Sequence, residues 1–172
     1  DIDDLLERAS AGDTRSVARV ITHIENGTDA GRSMFPRLFA ASGHAWITGI
    51  TGAPGAGKST LTSALIPAMA PGGGRLAVVA VDPSSPFSGG AILGDRIRMS
   101  EHAGDDRVFI RSLANRGSLG GISEFTPSVV SGLDGLGFGE ILVETVGVGQ
   151  SEVEIATAAD TTVVVVSPGW GD

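Results

Sequence analysis

The chain has 172 residues, 41% of them hydrophobic and 19% charged, with a formal net charge of −8. That suffices for one domain with a sizeable core, is too apolar for a disordered chain, and carries the wrong sign for nucleic acid or an anionic membrane as main partner. Cysteine is absent, which excludes a disulfide framework and a thiolate metal site and fits a reducing compartment. No apolar stretch approaches the length of a membrane span, and the acidic N-terminus does not read as a signal or transit peptide.

Residues 1–43 read as helical. Asp1 to Ser10 forms a short helix with acids in its first turn, ended by Gly12. Asp13 can cap a second helix, Thr14 to Asn26, in which Val17, Val20, Ile21 and Ile24 recur at helical spacing before Gly27 stops it. A weaker third helix, Asp29 to Ala41, is expected to be interrupted at Pro36. This extension serves either as a structural cap on the rest of the chain or as a partner-binding element.

From His44 onward apolar strands alternate with helices. The strands are Ala45 to Ile50, Leu76 to Val81, Arg107 to Arg111, Glu140 to Thr145 and Thr161 to Val166. Runs that are continuously apolar rather than alternating belong to strands covered on both faces, hence to a mostly parallel sheet in a three-layer α/β fold. Ligands of such sheets bind off the carboxyl ends of the strands. The residues after each strand are therefore the candidates for chemistry.

The first strand runs into Gly52-Ala53-Pro54-Gly55-Ala56-Gly57-Lys58-Ser59-Thr60, which fits G-x-x-x-x-G-K-[ST], the phosphate-binding loop. Glycines let successive backbone N–H groups turn into an anion-binding nest, and the following helix aims its positive end at the phosphates. Lys58, the only lysine in the chain, brings a full charge to the outer phosphates, and Ser59 offers a hydroxyl to Mg²⁺. The three histidines, His23, His44 and His102, have no metal-ligand spacing and read as structural or solvent-facing.

The second strand ends at Asp82, placed to hold Mg²⁺ directly or through water, and opens a long loop rich in proline, serine and glycine. Asp95 lies past that loop, where it either returns to the same site or serves as the N-terminal acid of a helix. The third strand leads into Ser112 to Gly121, a glycine-rich loop whose Arg116 either reaches phosphate or a partner or is solvated. Gly132 to Gly139 reads as a turn-rich connector. The fourth strand ends in Glu144, followed after two residues by Gly147, the pattern of a γ-phosphate sensor whose glycine N–H loses its bond on hydrolysis. Glu144 is expected near the metal and its waters, and Gln150 is a candidate for positioning water.

These stretches together carry a specific likeness. Gly49 to Leu61 resembles the phosphate loop of the MeaB/ArgK family of MMAA-like P-loop GTPases, and Val81 to Met99 resembles that family's long first switch. Phe109 to Ser112, Arg116 to Gly121, Val143 to Glu152 and Ala159 to Thr161 are similar to it as well. The resemblance implies a SIMIBI-class GTPase that binds GTP/GDP and Mg²⁺. It further implies a chaperone for an adenosylcobalamin-dependent acyl-CoA mutase of the methylmalonyl-CoA mutase type, gating cofactor loading and protecting the mutase. Lys58 and Ser59 would then hold phosphate and Mg²⁺, with Asp82, Asp95 and Glu144 clustered around the metal and the hydrolytic water. The protein would be cytoplasmic, or in the mitochondrial matrix of a eukaryote. It would form a homodimer when full length, through a C-terminal arm. Family members continue into a third switch and an Asn-Lys-x-Asp guanine-reading motif, and neither is among these 172 residues. A partial sequence, weak nucleotide affinity and an uncovered sheet edge are the corresponding expectations. Rival readings are a nickel-type metallochaperone GTPase, a small-molecule kinase using Asp82 or Asp95 as base, and an inactive nucleotide-binding module.

Overall fold

The computed structural model describes residues 1–69, 72, 74–83, 105–115, 126–145 and 155–169. Three helices open the chain: α1 (Ile2–Ser10), α2 (Thr14–Glu25) and α3 (Asp29–Ala40). Each starts at a side-chain cap. Asp1 accepts from Asp3 N, Asp13 from Ser16 N, and Thr28 from Gly31 N. These bonds satisfy donors that a helix N-terminus leaves without partners. Gly27 ends α2 with φ of +56°, a left-handed value that glycine adopts without strain.

α3 runs unbroken through Pro36, against the expected interruption. An interior proline costs about 3 kcal/mol. Met34 and Leu38, both buried, offset this at about 1.5–3 kcal/mol each. Tertiary packing therefore overrides the local penalty.

The remaining elements are β1 (Trp46–Gly52), α4 (Lys58–Met69), β2 (Arg75–Pro83), β3 (Val108–Asn115), α5 (Thr126–Gly135), β4 (Phe138–Thr145) and β5 (Thr161–Val165). β3 extends through Ser112 to Asn115, residues expected in a loop. The pleat explains the extension, because Leu113 continues the face of Phe109 and is fully buried. The connector expected over 132–139 shrinks to a turn at Leu136 and Gly137, with α5 before it and β4 after. Pro127 sits in the first turn of α5, where its missing N–H costs no helical bond.

The strands form one parallel sheet in the order β3-β2-β4-β1-β5. On one face α1, α2, α3 and α5 share a continuous core with Ala77, Val79, Phe109, Ile141 and Val143. On the other face Ile66 of α4 packs on Leu76, Val78, Val108 and Leu142. β5 is an outer strand of the described sheet, and Val164 within it and Val166 just after it are exposed.

Polar bonds pin the amino ends of the strands. Asp134, buried at the end of α5, accepts from Gly43 N (2.7 Å), His44 N (3.2 Å) and Ala45 N (3.2 Å), fixing the entry to β1. Arg75 donates to Leu136 O (2.8 Å) and lies 4.0 Å over the Phe138 ring; its burial lowers the guanidinium pKa from the usual value. Arg111 of β3 forms an ion pair with Glu25, tying α2 to the sheet. His23 Nδ1 lies 2.9 Å from Thr28 Oγ1, the cap of α3, which is a structural role.

Candidate functional site

The carboxyl ends of β1, β2 and β4 lie side by side, since Ile50 and Ala80 both pair with Glu144 and Val81 pairs with Thr145. From β1 the chain enters the glycine loop and then α4. Gly52 has φ of +141°, Gly55 +79° and Gly57 +102°, a backbone that L side chains rarely adopt. Gly52 is further constrained by its neighbour, because a Cβ there would lie 2.2 Å from Val165 O of β5. Gly55 and Gly57 face open space, as a loop that receives a ligand requires. Ala53 and Ala56 are half-buried, and Pro54 and Thr60 are exposed.

α4 begins at Lys58, so its N–H groups and positive dipole end point into this loop. Its sheet-facing stripe is Lys58, Thr62 and Ile66, spaced by four and all buried. The stripe is polar under the loop and apolar under the middle of the sheet. Lys58 Nζ donates to Gly52 O (2.7 Å) and Ala53 O (2.9 Å), which holds the ammonium across the loop. This arrangement fixes a positive charge and a nest of amide donors at one point, which is an oxyanion-binding device.

Glu144, at the carboxyl end of β4, is only 8% exposed. Ser59 Oγ donates to its Oε1 at 2.7 Å. Thr62 Oγ1, fully buried, lies 2.8 Å from its Oε2 and 3.0 Å from Lys58 O. On the other face of the same strand ends, Thr145 and Thr51 are buried with their hydroxyls 3.5 Å apart.

The structure thus brings together the 52–57 loop, Lys58, Ser59 and Glu144 from the residues singled out in the sequence. Asp82 lies in the last stretch of β2, at the same end of the sheet, paired with Ala114. Asp95, Arg116, Gly147 and Gln150 lie outside the described residues. Thr62 was not anticipated. Its signal was present, since a residue four beyond Lys58 shares the inward face of the helix. Asp134 had no local signal, because its partners are about ninety positions earlier in the chain. Among the described residues no group of three or more His, Cys, Asp and Glu side chains is arranged to hold a metal, and no helix is long and apolar enough to cross a membrane.

Comparison with known proteins bears on this geometry. The sequence model of the family described as methylmalonyl Co-A mutase-associated GTPase MeaB matches residues 17–172. A Pyrococcus abyssi protein provisionally named a GTPase is 52% identical over 171 residues, covering 99% of this chain and 53% of its own length. GTPase ArgK of Escherichia coli is 37% identical over 171 residues, covering 97% of this chain and 52% of its own length. A solved structure described as the LAO/AO transport system kinase aligns with a TM-score of 0.75 at 26% identity, over 95% of this chain and 49% of that one. The chain spans about half the length of the curated relatives it matches.

Proposed function

The chain belongs to the MeaB family of methylmalonyl-CoA mutase-associated GTPases, and from that premise we propose that it binds and hydrolyses GTP with Mg²⁺. Its nucleotide state would act as a switch on an adenosylcobalamin-dependent acyl-CoA mutase, gating cofactor loading and protecting the mutase. The observation that carries the reading is the 2.7 Å contact between Ser59 Oγ and Glu144 Oε1 directly beneath the Lys58 loop. It joins a phosphate cradle to a carboxylate at one point.

The donors suit Mg²⁺. This ion takes oxygen ligands, keeps several waters, and is commonly held by one or two carboxylates together with substrate phosphates rather than by an all-protein cage. Ser59 and Glu144 supply a hydroxyl and a carboxylate, and Asp82 and Asp95 are the further acids proposed for it. When bound, the metal would neutralise charge on the phosphate oxygens.

The chain's own groups do the rest. The backbone N–H groups of residues 55–59 and the Lys58 ammonium bind the phosphates and stabilise charge that develops on the transferred group. The carbonyls of Gly52 and Ala53 keep that ammonium from swinging away. Gln150 would position the attacking water, and Gly147 would report the γ-phosphate. The intrinsic rate should be low, with the mutase raising it. A cytoplasmic or matrix location accords with a mutase partner, and homodimerisation remains part of the proposal.

Calorimetric titration of the chain with GTP, GDP and ATP tests the nucleotide, and turnover measured with and without an acyl-CoA mutase tests the switch. GTP and GDP should bind through the phosphate loop, weakly, since no Asn-Lys-x-Asp motif is among these residues to read the base. Lys58→Ala should weaken that binding about 100-fold, as expected for loss of a charged donor. Tighter ATP binding with turnover dependent on an added acceptor would instead indicate a kinase. Equal hydrolysis rates with and without mutase would remove the switch.

A further inference from the structure

We propose that Thr62 is a positioning residue for Glu144, fixing the carboxylate in the orientation that leaves Oε1 at Ser59 and the metal side of the site. The inference rests on the Mg²⁺–nucleotide reading above and assigns a role to a side chain outside the phosphate-binding signature.

The argument is one of donors and access. An ionised carboxylate only accepts hydrogen bonds, and two hydroxyls approach this one from α4. Thr62 has one proton and two acceptors in reach, Lys58 O at 3.0 Å and Glu144 Oε2 at 2.8 Å. The carboxylate is both the nearer and the charged acceptor, and a charge-assisted bond in a buried setting is the stronger one. Thr62 is therefore not simply bonding back to its own helix.

The two hydroxyls differ in freedom. Ser59 lies at the first turn of α4, half-exposed, where it can exchange Oε1 for another ligand. Thr62 is one turn deeper and fully enclosed, and its β-branched side chain has few rotamers in a helix. It keeps its grip on Oε2 while Ser59 changes partner. Without Thr62 the carboxylate is free to rotate, and both oxygens compete for the Ser59 side. Groups that orient a metal-binding carboxylate in this way typically contribute 10–100-fold to metal affinity.

The test compares Thr62→Val, which keeps the shape and removes the hydroxyl, with Thr62→Ser, which restores the hydroxyl in a smaller side chain. Binding of a fluorescent, non-hydrolysable GTP analogue is followed while Mg²⁺ is titrated, and again in EDTA. In EDTA both variants should bind within about twofold of the parent chain, showing that the loop is intact. Thr62→Val should need about tenfold more Mg²⁺ to reach half-saturation, and Thr62→Ser should recover most of that loss. If the parent shows Mg²⁺-linked binding and Thr62→Val has the same Mg²⁺ midpoint, Thr62 has no positioning role. A loss in Thr62→Val that Thr62→Ser does not recover assigns the effect to packing and also overturns the proposal. A parent chain whose analogue binding ignores Mg²⁺ overturns the underlying reading, and the inference with it.

Discussion

Two buried acids stand at opposite ends of the sheet, equally enclosed and differently partnered. Asp134, at the amino end, accepts from three consecutive backbone N–H groups, those of Gly43, His44 and Ala45. Glu144, at the carboxyl end, is held by two side-chain hydroxyls, those of Ser59 and Thr62. Each is 8% exposed. A backbone donor is fixed by the fold, so Asp134 cannot change partners without moving the entry to β1. A hydroxyl can rotate toward another acceptor, so Glu144 can trade at least the Ser59 bond for a ligand. Burial alone therefore does not separate these two carboxylates; the freedom of their donors does.

The sharpest way to break this contrast is to remove Asp134. Asp134→Ala leaves three inward-facing amides without their acceptor and should destabilise the chain by about 3 kcal/mol, lowering the thermal midpoint by about 6–12 °C. Differential scanning calorimetry would show it, and a midpoint unchanged from the parent would mean that the clamp is dispensable. Glu144→Gln should invert the pattern. Its hydroxyl partners can reorient around an amide, so the midpoint should stay within about 3 °C, whereas Mg²⁺-dependent GTP hydrolysis should fall about 100-fold. A large stability loss with intact hydrolysis would place Glu144 beside Asp134 as a structural acid.

The smallest effect belongs to a third acid with a different setting. Asp105 is partly exposed, and the side-chain hydrogen bond from Arg107 holds its carboxyl down at about 2, against 3.8 for the ordinary group. A depressed folded pKa stabilises above the unfolded value and ceases to do so as pH falls through the folded one. Solvent screening keeps the contribution slight. Asp105→Asn should thus be marginally less stable than the parent above pH 3.8, with the gap closing as pH approaches about 2. Urea melts across that range would detect it, and a gap unchanged at the acid end would rule out the Arg107 pairing as its cause.

Much of this was legible in the chain itself. The apolar runs of β2 and β4 announce a parallel sheet because strands covered on both faces have no polar side to show, whereas β5, expected to be covered in the same way, is largely exposed as an outer strand of the described sheet. The glycine loop announces a phosphate site because its left-handed backbone angles and its lysine need those residue types at that spacing. Caps at Asp13 and the stop at Gly27 follow from local hydrogen bonding. Family membership follows from the same stretches, since the family match spans residues 17–172.

What sequence reading missed depends on neighbours remote in the chain. Pro36 looked like a break, and only the burial of Met34 and Leu38 kept α3 whole. Ser112 to Asn115 looked like loop, and only pairing along β2 made them strand. Gly52 is required partly for its angle, which the sequence suggests, and partly because Val165 O stands where a Cβ would go, which only the sheet order reveals. The partners of Asp134, Thr62 and Glu144 were the least legible of all. Hydrogen bonds between positions more than eighty residues apart leave no periodic trace in the chain, so the fold alone decided which acid clamps the backbone and which faces the phosphate loop.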